Sequence, residues 1–449
     1  MKVMKFGGTS VGSAERMKHV ASLINDGERK IVVISAMADT TNTLVDIANC
    51  FYHKETEQAK QILEQLNNQY TDEIEHLYHT ADIKTKALDL IKNSLDTIWS
   101  YSFVPFTMFD EKIVVGQGEI MSAGMMYLYL QEQGIPSVLL PALDFMRITK
   151  DSEPDLEYTE QKLQDKLAAY PDIPIFITQG FICRNAFGEM DNLARGGSDY
   201  SASIIGAAIH ASEIQIWTDI DGLHNNDPRV VRHTEPVRQL NFDEAAKLAH
   251  FGAKILHPTC IEPAKRNNIP VRLLNTFTPD APGTLITNWA EKGRIKAAAA
   301  KDNITYVNIR SRRLIPNHKF LSLVFDIFAK YKIAIDLVTT SEVSVSMAID
   351  DDRFLAEVIK ELEEFALIQV DRDMVIICVV GDLEWQNIGF EARIINALKD
   401  IPVRMISYGG SNSNVSLVLR ASDKAKALEA LNSHVFFESL ETEPHSALC

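Results

Sequence analysis

The chain has 449 residues, 46% hydrophobic and 24% charged, which suits a globular protein of roughly two to four domains with sizeable cores. Its formal charge of −16 repels nucleic acid and anionic membranes and argues against both as partners. Five cysteines without C-x-x-C spacing support neither a disulfide framework nor a zinc ribbon, and no apolar run approaches membrane-spanning length, so a soluble, cytoplasmic protein is expected.

A short apolar strand start leads into Lys5-Phe6-Gly7-Gly8-Thr9-Ser10, and a helical pattern follows over 13–25. A glycine pair lets the backbone approach an anion closely, and a following helix offers unpaired N–H groups and the positive end of its dipole. With Lys5 as cation, the turn reads as a phosphate cradle; taken alone it is equally a strand-to-helix connection that needs positive φ. The apolar run at 30–37 is the next strand. Residues 55–100 are helical and strongly polar, either a helical lid or side bundle or a solvated hairpin. A helix over 117–133 carries Glu119 near its expected start, where a first-turn acid would also suit the dipole.

Apolar runs at 137–142, 174–182, 213–219 and 270–274 alternate with helical patterns at 198–211 and 242–250. That alternation indicates an open three-layer αβα sandwich with a mainly parallel sheet, whose ligands sit at the carboxyl ends of the strands. The second glycine turn, Arg195-Gly196-Gly197-Ser198-Asp199-Tyr200, falls at such an end. Its Asp199 either orients the cations or caps the helix. Neither turn has the spacing of a Walker A loop or of a dinucleotide fold. Two turns with matched polar decoration favour phosphate handling by another architecture.

Around 288–303 the composition lacks sheet-like runs, and the boundary of a first domain, residues 1–290, is placed there. Beyond it a strand at 304–310, a helix at 318–331, paired strands at 335–349 and a helix at 352–364 are followed by strands at 367–371 and 374–380. A helix at 386–399, paired strands at 402–419 and a helix at 422–433 complete the series. Phe320 corresponds to Phe390, and 343–350 to 415–420. The pattern is a tandem β-α-β-β-α-β arrangement, two ferredoxin-like α+β units at about 300–372 and 373–449 whose strands can interleave.

Phosphoryl transfer asks for in-line positioning and neutralisation of charge rather than covalent work from the protein. A carboxylate acceptor is already ionised at neutral pH and needs no general base. No His/Cys metal-ligand spacing is indicated, so Mg²⁺ is expected to arrive with ATP, held by its phosphates.

The segments KFGGTSVGS (5–13), GQGEIMSA (116–123), ITQGFI (177–182), RGGSDYSA (195–202), WTDIDGLHNNDPRVV (217–231) and FGAKILHP (251–258) occur in the order seen in aspartokinases. The whole chain resembles a monofunctional, lysine-sensitive member of that family, an amino-acid kinase domain followed by tandem ACT domains. The resemblance implies ATP-dependent phosphorylation of L-aspartate to 4-phospho-L-aspartate, the entry to lysine, threonine and methionine biosynthesis. It implies Lys5 and Asp199 as catalytic groups, with Thr41, Glu119, Phe181, Arg195 and Ser198 around aspartate. Gly7, Gly8, Thr218, Asp219, Asp227, Arg229 and Lys254 match nucleotide-contacting positions. The resemblance further implies feedback by lysine at Phe320, Leu321, Ile335, Asp336, Thr340 and Ser341, and a homodimer through the ACT units. A strand-end aspartate without a ligand is the plainer reading of Asp336. Three departures stand out: His224 in place of a common tyrosine, Asp191-Asn192-Leu193-Ala194 before Arg195, and Lys319 where relatives usually carry glycine. Two rival functions are a same-fold kinase for another carboxylate and an inactive amino-acid sensor; the presence of Lys5 and Asp199 opposes the second.

Overall fold

The uninterrupted apolar runs of the first half are strands of one largely parallel sheet. The computed structural model describes residues 1–193, 196–253, 257–289, 291–312 and 316–437. Two compact units emerge, Met1–Gly222 with Leu256–Asn288, and Leu223–Ile255 with Trp289–Cys449. In the first, the strands are β1 (Lys2–Phe6), β2 (Lys30–Ile34), β3 (Ser137–Leu139), β4 (Ile175–Gln179) and β7 (Glu213–Thr218). A small hairpin, β5 (Ile182–Arg184) and β6 (Met190–Asn192), stands apart from them. The sheet order is β3-β4-β2-β1-β7, then Val271–Asn275 and Thr284–Thr287. All these pairings are parallel except the last. β2 is buried along its whole length, as a parallel strand covered on both faces must be.

The register aligns Phe6 with Ile34 and with Trp217, so the segments after β1, β2, β4 and β7 leave the sheet at one rim. Phe6 and Trp217 stack there with ring centroids 5.6 Å apart. Helix α1 (Ala14–Ile24) follows the first glycine turn, but its N-terminus is already satisfied. The Ser13 hydroxyl accepts from the Arg16 N–H, and a Glu73 carboxylate oxygen accepts from the Ala14 N–H at 2.5 Å. Two of the first-turn N–H groups expected to be unpaired thus have partners within the chain.

The polar stretch at 55–100 is a side bundle. Helices α2 (Thr40–His53), α3 (Thr56–Leu77), α4 (Ala81–Ser100) and α5 (Met108–Glu132) share one core with the sheet, in which Tyr70, Ile74, Leu77, Ile91 and Ile98 join Met121 and Met125. Tyr78 is also buried, and its hydroxyl donates to the Met125 carbonyl at 2.7 Å. A solvated hairpin would not bury two tyrosines.

In the second unit six strands form one antiparallel sheet, ordered Leu337–Thr340, Ser344–Ile349, Ile295–Ser311, Ala366–Gly381, Asn414–Arg420, Val403–Ser407. The stretch expected to lack strand structure is part of it. Ala297–Ala300 pair with Ile377–Val380, and Tyr306–Ser311 continue along Ala366–Asp371 after a shift of register. Alanine favours helix, but here the run is largely buried against a partner strand of continuous apolar residues, and tertiary packing overrides propensity. The two strand segments expected at 367–371 and 374–380 are likewise one strand. Both long strands serve two cores. One holds Val307, Phe320, Val324 and Val345, and the other Ala298, Ile377, Ile394 and Leu417. The helix Phe242–His250, read from sequence as part of the first sheet's alternation, falls in this second unit.

Candidate active site

Lys5, the penultimate residue of β1, pairs with Asp199 across 2.6 Å, and both side chains are largely shielded, at 12% and 15% exposure. Asp199 lies in the first turn of α7 (Gly197–Ala208), whose N-cap position is Gly196 and whose cap makes no side-chain hydrogen bond. The N-cap glycine has no side chain to offer, and the Asp199 carboxylate is engaged by the lysine. Gly196 has φ +78°, and a Cβ there would stand 2.5 Å from Cys260 Sγ and 2.8 Å from His257 Cβ. Cys260 Sγ–H donates to the Gly196 carbonyl at 3.4 Å. Gly197 is packed as closely by Phe181, whose ring would meet a Cβ at 2.2 Å. Phe181 itself has φ +64°, and its N–H donates to Ser201 Oγ at 2.9 Å. Both backbone conformations are strained or glycine-specific, and both face one cavity.

That cavity, of about 200 Å³, is lined by Lys5, Thr41, Glu119, Phe181, Ser198 and Asp199 among others. Glu119 is not a first-turn acid. The helix begins at Met108, fixed by a capping box between Thr107 and Asp110, so Glu119 sits mid-helix and 4% exposed. Its Oε1 accepts from the Ala36 N–H at 3.3 Å, while Oε2 is buried and has no hydrogen-bond partner. Burial pushes the carboxyl up to about 8, against the opposing pull of the Ala36 N–H and the Lys5 charge. Supporting groups went unread in the sequence. The Met37 N–H donates to Ser122 Oγ at 2.9 Å, and Thr40 Oγ1 shares a 3.0 Å hydrogen bond with the buried Tyr70 hydroxyl. Ser122 falls in the segment at 116–123 and Met37 at the end of the apolar run at 30–37, so the pairing of those two stretches was the available signal.

Gly7 and Gly8 follow β1 directly; the Gly7 N–H donates to the Trp217 carbonyl at 3.2 Å, and a Cβ on Gly8 would meet the Ala36 carbonyl at 2.8 Å. Thr218 Oγ1 donates to Asp219 at 3.0 Å just beyond β7. Asp227 and Arg229 belong to the second unit and bind each other, through the Arg229 backbone N–H, Nε and one terminal nitrogen at 2.8–2.9 Å. Arg195 and Lys254 lie outside the described residues. Of the two departures before Arg195, Asp191 pairs with Lys112 at 2.6 Å, and Asn192 Nδ2 donates to the Lys112 carbonyl.

The effector-matching residues separate into two groups. Phe320 is buried in the first core of the second unit, with Leu321 and Ile335 packed against it. Thr340 and Ser341 are exposed, and Ser341 Oγ meets Ser344 Oγ at 2.7 Å. Asp336 is paired within the chain: Lys301 Nζ donates to both its oxygens at 2.6 and 2.8 Å, and His250 Nε2 approaches at 3.1 Å. These partners outweigh burial and hold Asp336 below the usual carboxylate range.

Residues 1–275 match the model of the amino acid kinase family, and residues 377–435 match an ACT domain. The chain belongs to the amino acid kinase family. It is 33% identical to aspartokinase 1, chloroplastic, of Arabidopsis thaliana, across 97% of this chain and 80% of that protein. It is 31% identical to lysine-sensitive aspartokinase 3 of Escherichia coli, across 97% and 99%. The crystal structure of E. coli aspartokinase III in complex with aspartate and ADP superimposes with a TM-score of 0.83 at 30% identity, covering 97% of this chain and all of that one. Aspartokinases are thus the members of that family to which this chain is similar over nearly its whole length. Among the described residues, no helix is long and apolar enough to cross a membrane.

Proposed function

We propose that the cavity between β1, α5 and α7 is where L-aspartate accepts the γ-phosphoryl group, with Lys5 and Asp199 as the transfer machinery. The observation that carries this reading is the Lys5–Asp199 pair at 2.6 Å beside a glycine turn and a buried carboxyl facing the same space. Lys5 neutralises charge on the phosphoryl group in flight, and Asp199 holds the ammonium in line. Glu119 takes the substrate's α-ammonium, and Arg195, by resemblance, a carboxylate in bidentate fashion. Thr41, Ser198 and the Phe181 turn shape the rest. The volume suits a small amino acid, whereas the nucleotide extends toward Gly7, Gly8, Thr218 and Asp219.

Mg²⁺ enters with ATP. Its chemistry is charge neutralisation between phosphates, and among the described residues no group of three acidic, His or Cys side chains forms a cage for it. Lysine acts through the ACT units, and the protein works in the cytoplasm as a homodimer; relatives named lysine-sensitive, and a T-state structure of aspartokinase III with lysine and aspartate, support the effector. We also retain the domain reading of a kinase domain to about residue 290 followed by two ACT-type units. A coupled ADP-release assay with aspartate, glutamate and N-acetylglutamate tests the substrate; turnover with glutamate comparable to aspartate would overturn it.

A further inference from the structure

Among the described residues, Glu119 presents an acid without a paired cation. One oxygen accepts a single backbone N–H, and the other is buried, unpartnered and next to the cavity. Lys5, whose charge acts on Glu119, is engaged by Asp199 at 2.6 Å. The ionisable groups that face Glu119 are Lys5 from β1 and Tyr70 from α3, with Asp199 from α7 across the cavity. Tyr70 is itself pushed up to about 12 by burial and stays neutral at physiological pH, so it supplies no compensating charge. Arg195 lies outside the described residues. A carboxylate shut away from water with one hydrogen bond and no paired cation is costly, and such a group takes up a proton instead.

We propose that Glu119 is a protonated acid in the ligand-free enzyme and becomes the carboxylate partner of the substrate ammonium on binding, so that aspartate association releases one proton to solvent. This rests on the reading that Glu119 contacts the substrate. The balance is simple: the Glu119 O–H bond breaks, the proton leaves to water, and the carboxylate formed accepts from the α-ammonium, which keeps all its protons. The free acid state also lets Oε2 carry a hydrogen in an otherwise unmatched position. Affinity for aspartate is therefore built to rise with pH. With the free carboxyl titrating near 8, the association constant climbs by up to about tenfold per pH unit below that value and flattens above it, by proton linkage. A carboxylate ionised at all working pH values would instead give a flat profile.

The test is titration calorimetry of aspartate into the nucleotide-free enzyme between pH 6.5 and 8.5, in PIPES and in Tris. The dependence of the heat on buffer ionisation enthalpy counts protons. Release of close to one proton at pH 7, falling toward zero by pH 9, is expected from the wild type, with loss of the release in Glu119→Gln and weaker, pH-independent binding. No proton release from the wild type, alongside weakened binding in Glu119→Gln, would overturn the proposal while leaving the contact in place. Undiminished release in Glu119→Gln would assign the proton to another group and overturn it as well. Unchanged affinity in that variant would remove both the contact and the proposal. Should the variant fail to fold, the wild-type infrared difference spectrum decides: aspartate must bleach a protonated-carboxyl C=O band, and its absence refutes the idea.

Discussion

Replacing Gly196 with alanine tests whether the second glycine turn is set by its neighbours. The residue sits at φ +78°, and the new Cβ would come within 2.5 Å of Cys260 Sγ and 2.8 Å of His257 Cβ. The left-handed backbone costs roughly 1–2 kcal/mol for a residue with a side chain, and overpacking a filled site costs roughly 1–3 kcal/mol. Together they predict a loss of about 2–5 kcal/mol, and at roughly 2–4 °C per kcal/mol for a domain of this size the melting temperature of the first unit falls visibly. Asp199 is three residues farther along the same turn, and misplacing a catalytic group by about 1 Å can cost on the order of 10²-fold in rate. Scanning calorimetry and steady-state kinetics measure both effects. Cys260→Ala removes the closer of the two collisions but leaves the His257 contact and the φ strain. The double variant should therefore recover roughly 1 kcal/mol relative to the sum of the single changes. Wild-type melting and kcat in Gly196→Ala, or strict additivity with Cys260→Ala, would refute the packing account.

Lys5→Met and Asp199→Asn should each lower kcat by about 10²-fold or more, and the double variant should be little worse than either, because the two act as one unit; full additivity in kcat would count against a shared role. The Lys301–Asp336 pair makes a pH prediction for the second unit. Asp336 is held low by His250 and Lys301, and Lys301 high by Asp336 and Asp350, so the Lys301–Asp336 stabilisation is complete between roughly pH 4 and 10 and is lost as pH falls through the depressed carboxyl or rises through the elevated ammonium. Acid unfolding of Asp336→Asn should lose that low-pH dependence, and an unchanged profile would show the pair to be inert. Lysine should inhibit the wild type, and since Lys301 already occupies Asp336, Lys301→Met should shift the half-inhibitory concentration at least severalfold. An identical dose response would place the effector elsewhere.

Much of the site was written locally. Lys5 beside a glycine pair and Asp199 beside another are adjacent-residue signals, and the parallel sheet follows from unbroken apolar runs such as 30–34. Glu119 was harder, because its meaning depends on where the helix starts. The capping box at Thr107 and Asp110 is visible in the sequence, but reading it requires extending the helix through Gly116 and Gly118, which local propensity discourages. The strand from Ile295 to Ser311 was hidden for a different reason: its alanines say helix, and the apolar strand that captures it lies some seventy residues away. The Asp336–Lys301 contact joins positions thirty-five residues apart, so no motif window contains both partners.

The bundle at 55–100 reaches the cavity through two slender polar contacts, Glu73 on the Ala14 N–H and Tyr70 on Thr40. One steadies the segment after the first glycine turn; the other steadies the residue beside Thr41. Engineers who trim or exchange this bundle as though it were a detachable ornament would remove both props at once.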